Sequence, residues 1–333
     1  MIYEAEEGRV NLALCGDIMP FRHLSVFAEP NFLALRELLR GTDACFANLE
    51  SMVVRYDEGT PPIRTGAHMV TEPELLEDLK WFGFNLLSCA ISHALNFGEE
   101  GLLAQNRHLD AVGIAHTGTG ENQRQASAPA YLDTPNGRMA LVAATAHLPS
   151  EQNRAANQRV DFRGKPGVNP LGFQTTVVVD KEALVALRRL GTALGFDRQR
   201  QRVIDHGFHS DAEIGAATQV EYKYRGDPYL LGDGFDIRTM CDEDDVKDSL
   251  RQIGEALRQA DWAILSLHNQ DLIGRSWLTA TTRTQLTAQT VFVHDFAHRC
   301  IDAGADVFAA HGPHILMGIE IYRGKPIFSV SAT

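Results

Sequence analysis

The 333 residues carry 44 % apolar and 22 % charged side chains and a formal net charge of −12. That balance is globular and excludes disorder, collagen-like repeats and a small disulfide-stapled scaffold. It also sets the protein's own field against nucleic acid, and no block of five or six Lys/Arg counters it.

The length is about twice that of a usual domain, so one large α/β domain or two smaller ones are admissible. No run of 18 apolar residues occurs, and the acidic start Met1-Ile2-Tyr3-Glu4-Ala5-Glu6-Glu7 lacks the cationic opening of a signal peptide. A cytoplasmic chain without a membrane span is expected. Five cysteines with no CxxC pair are expected as reduced thiols, Cys15, Cys45 and Cys89 lying in apolar runs.

In chain order, residues 10–15 read as a strand. A helix over 31–40 follows, with Phe32, Leu35, Leu38 and Leu39 on one face and Gly41 as its stop. Residues 44–47 are a second strand. Pro73 opens a helix that turns Leu75, Leu76, Leu79 and Phe82 inward and ends at Gly83. Then come a strand over 85–89, a helix over 99–111 and a strand over 139–145. Between about 149 and 242 the rhythm weakens, and 150–242 reads as an edge insertion within a single domain spanning 1–333.

The rhythm resumes where Asp242-Glu243-Asp244-Asp245 sets acid at the start of a helix carrying Val246, Leu250, Ile253 and Leu257. Strands over 263–267 and 306–310 flank a long helix over 284–303. Arg323-Gly324 between two apolar runs predicts a hairpin, with Pro326 placing its second strand at an edge. Repeated strand–helix units predict an α/β fold with helices over the sheet faces.

The chemistry follows the strands. The first runs into Gly16-Asp17, the second into Asn48-Leu49-Glu50, and the third leads to Ser92-His93. The 139–145 strand ends near His147, the 263–267 strand at His268, and the last at His311-Gly312-Pro313-His314. In open α/β sheets, residues beyond the carboxyl ends of strands gather in one crevice. Carboxylates and imidazoles meeting there would make an N,O site for a divalent ion. A lone strand-end Asp commonly caps a helix, and a lone His is commonly a satisfied polar residue. Six successive strand ends of ligand type argue for the metal.

Elsewhere, His294-Asp295-Phe296-Ala297-His298 puts two imidazoles at i, i+4 but has Asp where a zincin has Glu, and reads as a polar helical face. No G-x-x-x-x-G-K-[ST] and no G-x-S-x-G occurs.

The segments Leu14-Cys15-Gly16-Asp17-Ile18-Met19, Ala47-Asn48-Leu49-Glu50, Ser92-His93-Ala94-Leu95-Asn96-Phe97-Gly98-Glu99-Glu100-Gly101-Leu102, Ile264-Leu265-Ser266-Leu267-His268 and His311-Gly312-Pro313-His314 form an ordered set. With them the chain resembles the CapA-type (poly-γ-glutamate capsule biosynthesis) branch of the calcineurin-like metallophosphatases over nearly its whole length. The resemblance implies an α/β fold of that superfamily: a four-layer α/β/β/α sandwich of two mixed sheets with metal at one edge. The 150–242 insertion is expected to cover the site. It implies Asp17, Glu50, His268, His311 and His314 as metal ligands, Glu50 bridging where two ions bind. His93 would be the acid/base residue and Asn48 a supporting group. Asn48, Ser92, Arg163 and Lys165 are candidates for the substrate side.

Four positions depart from the family pattern, one of them Phe328-Ser329-Val330-Ser331-Ala332-Thr333 where Tyr-Ser-Leu-Gly-Asn-Phe is usual. Ile91-Ser92-His93 replaces Asn-Asn-His, Asn96 replaces an Asp, and Asn269-Gln270-Asp271 follows His268 where a further His or Glu is usual, leaving Asp271 as a candidate catalytic substitute. The expected cofactor is one or two divalent ions, with Mn, Zn, Fe, Mg and Ca all open. The expected activity is metal-dependent hydrolysis of a phosphoester or of a peptide or polyglutamate-like substrate. Cα epimerisation of a peptide and a non-catalytic accessory role in capsule synthesis stay open. Expected partners are a small molecule or peptide, with no nucleic acid and the oligomeric state undetermined.

Overall fold

The computed structural model describes residues 9–60, 68–207, 218–272, 275–276, 291–314 and 317–329. In chain order the elements are β1 (Leu12–Ile18), α1 (Pro30–Arg40), β2 (Ala44–Leu49), α2 (Leu76–Phe82), β3 (Leu86–Ser88) and α3 (Gly98–Val112). Next come β4 (Ala115–Thr117), β5 (Ala130–Thr134), β6 (Gly137–Thr145), β7 (Phe173–Val179), α4 (Lys181–Leu194) and α5 (Phe196–Asp205). There follow β8 (Glu221–Tyr224), β9 (Asp227–Leu231), β10 (Asp236–Cys241), α6 (Glu243–Leu257) and β11 (Trp262–His268). The chain closes with α7 (Val291–Asp302), β12 (Val307–His311), β13 (Ile319–Tyr322) and β14 (Lys325–Phe328). Among the described residues no helix is long and apolar enough to cross a membrane.

The chain divides into two compact units: Met1–Gly172 with Asp242–Gln289 and Val293–Thr333, and Phe173–Cys241 with Thr290–Phe292. The first unit is an α/β sandwich. One sheet, ordered β1-β2-β3-β4, is parallel throughout; the other, ordered β13-β14-β12-β11-β6-β5, is mixed.

Alternation along the strands builds its layers. In β2, Ala44 and Phe46 join Leu86, Met139, Leu141, Ile264 and Ala309 in the core between the sheets. Cys45, Ala47 and Leu49 face the other way, toward Leu39, Leu76, Leu79 and Leu109 of the covering helices. Over the second sheet, α6 buries Val246, Ile253 and Ala256, and α7 sets Phe296 edge-on to Phe308. The Asp242 side chain caps α6 by accepting from the N–H groups of Asp244 and Asp245.

Two local expectations are corrected. Leu35 and Leu38 of α1 are 47 % and 68 % exposed. The inward stripe is instead Phe32, Arg36 and Leu39, because the Arg36 guanidinium lies 4.1 Å over the Trp81 ring and its Nε donates to Trp81 O. Pro326 is not at an edge: β14 lies between β13 and β12. The ladder to β12 begins at Ile327, one residue past the proline, so the missing N–H interrupts no pairing there. The hairpin itself forms, with Arg323 and Gly324 both at positive φ (50° and 79°) as a two-residue primed turn requires.

Residues 150–172 belong to the first unit, whereas Phe173–Cys241 forms a sheet ordered β8-β9-β7-β10 with helices α4 and α5. Val179, Leu184 and Tyr222 centre its core, Asp180 caps α4 on Ala183 N, and Phe173 stacks on Phe292 at 4.2 Å. The β-branched run Thr175-Thr176-Val177-Val178-Val179 is the strand signal missed in this stretch. Cys15, Cys45 and Cys89 are free thiols, Cys45 and Cys89 buried and Cys15 partly so. Of the helix expected over 284–303, residues before 291 lie outside the described part.

Candidate metal centre

The site continues the inter-sheet core beyond its apolar layers. Trp262, Ile264, Ser266 and His268 share one face of β11, and Val307, Ala309 and His311 share the matching face of β12, with His268 paired to His311. In β2 the same alternation carries Ala44 and Phe46 to Asn48.

On β1 it would carry Leu12 and Leu14 to Gly16. The register instead shifts between Leu14, which pairs with Phe46, and Asp17, which pairs with Asn48. That bulge gives β1 one extra residue and brings the carboxylate, not the glycine, opposite Asn48.

Asp17, His268 and His311 each offer a ligand atom, and the three atoms lie within 4.8 Å of one another in a buried setting. His268 Nδ1 is 3.3 Å from His311 Nδ1 and 3.4 Å from Glu50 Oε2. His311 Nδ1 is 3.5 Å from Asp17 Oδ1, and His314 Nδ1 is 3.1 Å from Asp17 Oδ2. The buried Asn48 amide donates to Asp17 Oδ1 (2.7 Å) and to Glu50 Oε2 (2.8 Å), tying the two carboxylates together. Ser266 Oγ stands 2.7 Å from His311 Nε2 and leaves Nδ1 for the cluster.

Burial and mutual charge set the electrostatics of the cluster. Burial raises the Asp17 pKa, but hydrogen bonds from His311 and His314 outweigh it and hold the carboxyl well below its usual range. Burial first and the Asp17 charge second push Glu50 well above its usual range, against hydrogen bonds from Asn48 and Ser92. Burial drives His268 strongly toward the neutral form.

Anionic oxygens, neutral imidazoles and mutually repelling carboxylates are the ligand chemistry of a divalent ion. Among the described residues, Glu50 Oε1, Asn48 Oδ1 and His268 Nε2 are moreover buried with no hydrogen-bond partner. The residues fit a metal.

His93 is half-buried, and its Nδ1 lies 2.8 Å from Asn96 Nδ2. Burial, then the fields of His147, His68 and His314, lower its pKa. His314 itself adopts a left-handed φ of 57°, a conformation L side chains take at a cost.

Residues 11–329 match the family described as bacterial capsule synthesis protein PGA_cap. The chain belongs to the PGA_cap family. It is 34 % identical over 317 residues to two uncharacterized proteins of Sinorhizobium fredii, y4sH and y4uA, covering 94 % of this chain and 63 % of each relative. The chain thus spans less than two thirds of those relatives' length. A segment of 91 residues is 38 % identical to a "Probable polyglutamine synthesis accessory protein" of Mycobacterium tuberculosis, covering 27 % of this chain and 21 % of that one.

Of the site residues expected from the sequence, the structure draws Asp17, Asn48, Glu50, His268, His311 and His314 together, with Ser92 hydrogen-bonded to Glu50. Asn48 and Ser92 are buried and serve the carboxylates, and both amide hydrogens of Asn48 go to Asp17 and Glu50. Arg163 is exposed and Lys165 donates to Gln152 O, and neither reaches the cluster among the described residues. Asp271 starts the short strand Asp271–Leu272, but its side chain lies outside the described part.

Sequence reasoning missed Ser266 as the partner of His311, although the alternation Ile264-Ser266-His268 signals it.

Proposed function

We propose that the chain is a metal-dependent hydrolase of a capsule-synthesis system, acting on a phosphoester or on a peptide or polyglutamate-like substrate. The observation that carries this reading is the closure of Asp17, His268 and His311 to within 4.8 Å, buried, which no helix cap or ordinary core histidine requires. Family membership and the printed name of the mycobacterial relative support work on capsule-type polymers.

Asp17, Glu50, His268, His311 and His314 would hold the ion. When bound, it supplies Lewis-acid polarisation of the scissile group and makes water acidic enough to attack near neutral pH. The chain's own residues do the rest. Asn48 fixes both carboxylates, and Ser266 orients His311. His93, outside the ligand set, exchanges a proton with the leaving group at Nε2, the ring nitrogen that does not face Asn96.

Metal analysis of the purified protein tests the centre: near-integer occupancy should collapse in both Asp17→Ala and His268→Ala. His93→Ala should keep the metal and lose about 10²- to 10⁴-fold in turnover. Metal lost from His93→Ala but retained by the other two variants overturns the assignment. Deuterium uptake at a substrate Cα without cleavage would select epimerisation instead. Unchanged behaviour after metal stripping would leave an accessory role.

A further inference from the structure

Helical and strand periods meet on the outer side of the mixed sheet. The 3.6-residue period puts His294 and His298 one turn apart on one face of α7, with ring centroids 4.1 Å apart. The two-residue period puts Glu320 and Tyr322 on one face of β13. Glu320 then reaches both imidazoles, with Oε1 2.9 Å from His298 Nε2 and Oε2 3.4 Å from His294 Nε2. Tyr322 stacks flat on the His298 ring at 3.8 Å and 9°, which fixes the plane of that imidazole. The three ligand atoms lie within 4.8 Å of one another.

We propose that His294, His298 and Glu320 form a second divalent-metal site, for a zinc-like ion, that clips α7 to the β13–β14 hairpin. Its donors are two imidazoles and one carboxylate, the set that borderline transition ions favour over Mg²⁺ or Ca²⁺. Ligands about 2.0–2.1 Å from a tetrahedral ion stand about 3.3 Å apart, close to the separations seen here. Two copies of one donor type aimed at the same carboxylate by Nε2, with one ring held by stacking, form a nearly preorganised site.

The side chains are 48 %, 25 % and 38 % exposed, so an ion reaches them from solvent and water completes its coordination. None of the three belongs to the buried centre. In chain order the joined elements, α7 and β13, flank β12, the strand that ends in His311.

The test uses chelator-treated full-length chain titrated with Zn²⁺ alone, comparing wild type with His294→Ala and Glu320→Gln. Subtracting variant from wild type cancels whatever the buried centre binds, so failure here is distinct from failure of that centre. Wild type should bind one more equivalent of Zn²⁺ than His294→Ala. Glu320→Gln should weaken that equivalent by more than about 10-fold.

Zinc should also raise the Tm of wild type further than that of either variant. His294 is largely exposed, so its variant should fold, and circular dichroism checks this. Equal stoichiometry and an equal Tm rise in wild type and His294→Ala overturn the proposal, leaving a His–Glu ion-pair cluster.

Discussion

Asn96 selects the tautomer of neutral His93. Its amide nitrogen is a donor, so the neighbouring Nδ1 accepts and the neutral ring carries its proton on Nε2. Burial and three neighbouring imidazoles lower the pKa of His93, which is therefore neutral around pH 7 and gains a proton only in more acidic solution. A step that needs the imidazolium weakens as pH rises through that depressed value.

Asn96→Asp places a carboxylate beside Nδ1 and favours the charged ring. The falling limb of kcat/KM against pH should then move up by about 1 to 3 pH units. A limb that stays in place would show that His93 does not donate the proton. The residue types at this site were legible one by one, as Asp17, Glu50, His93, His268, His311 and His314 each follow an apolar run. Their hydrogen-bond partners were not. Nothing local to Asn48 says that its amide spans two carboxylates from different segments, and nothing local to Ser266 says that it meets His311, 45 residues on.

At the scale of the element, the turn after β12 decides how closely two strands can carry their imidazoles. Gly312 has φ 116°, and a Cβ there would lie 2.8 Å from Asn269 O and 3.1 Å from His268 Cε1. Gly312→Ala therefore meets both backbone strain and a clash with the main chain beside a ligand. It should cost about 1–3 kcal/mol in denaturant unfolding and lower metal occupancy.

Gly254 in α6 is the control, since a Cβ there meets nothing within 4 Å. Gly254→Ala should stabilise by about 0.5–1 kcal/mol with metal content unchanged. Equal losses in the two variants, or full occupancy in Gly312→Ala, would contradict the steric argument.

Element type was read well where a long period repeats, as in α3 and α6. It failed where burial depends on a distant neighbour. Leu35 and Leu38 match the helical stripe of α1, yet Arg36 takes the inward position because Trp81 happens to lie beneath it.

For the molecule's larger unit, stability and the metal centre share one core. Phe46 is buried between the two sheets with Leu86, Met139, Leu141, Ile264 and Ala309, and its ring lies 6.4 Å from that of His311. Phe46→Ala should cost about 3–5 kcal/mol, seen as a lower urea midpoint at unchanged slope, and should loosen metal binding as His311 loses its packing. Phe162→Ala, at a side chain 66 % exposed, should change stability by less than about 0.5 kcal/mol. A Phe46→Ala protein as stable as that control would mean that the sheets are not held together by this layer.

The amino-acid sequence by itself determined the α/β class, the strand ends and the ligand-type side chains placed after them, because apolar runs and alternation are local properties of the chain. Only the tertiary structure decided which strands became neighbours, that β1 bulges so that Asp17 and not Gly16 meets Asn48, that Pro326 sits inside the sheet, and that Phe173–Cys241 folds as its own compact unit. Those outcomes depend on burying apolar surface between segments far apart in sequence, and that long-range balance leaves little trace in any short stretch of residues.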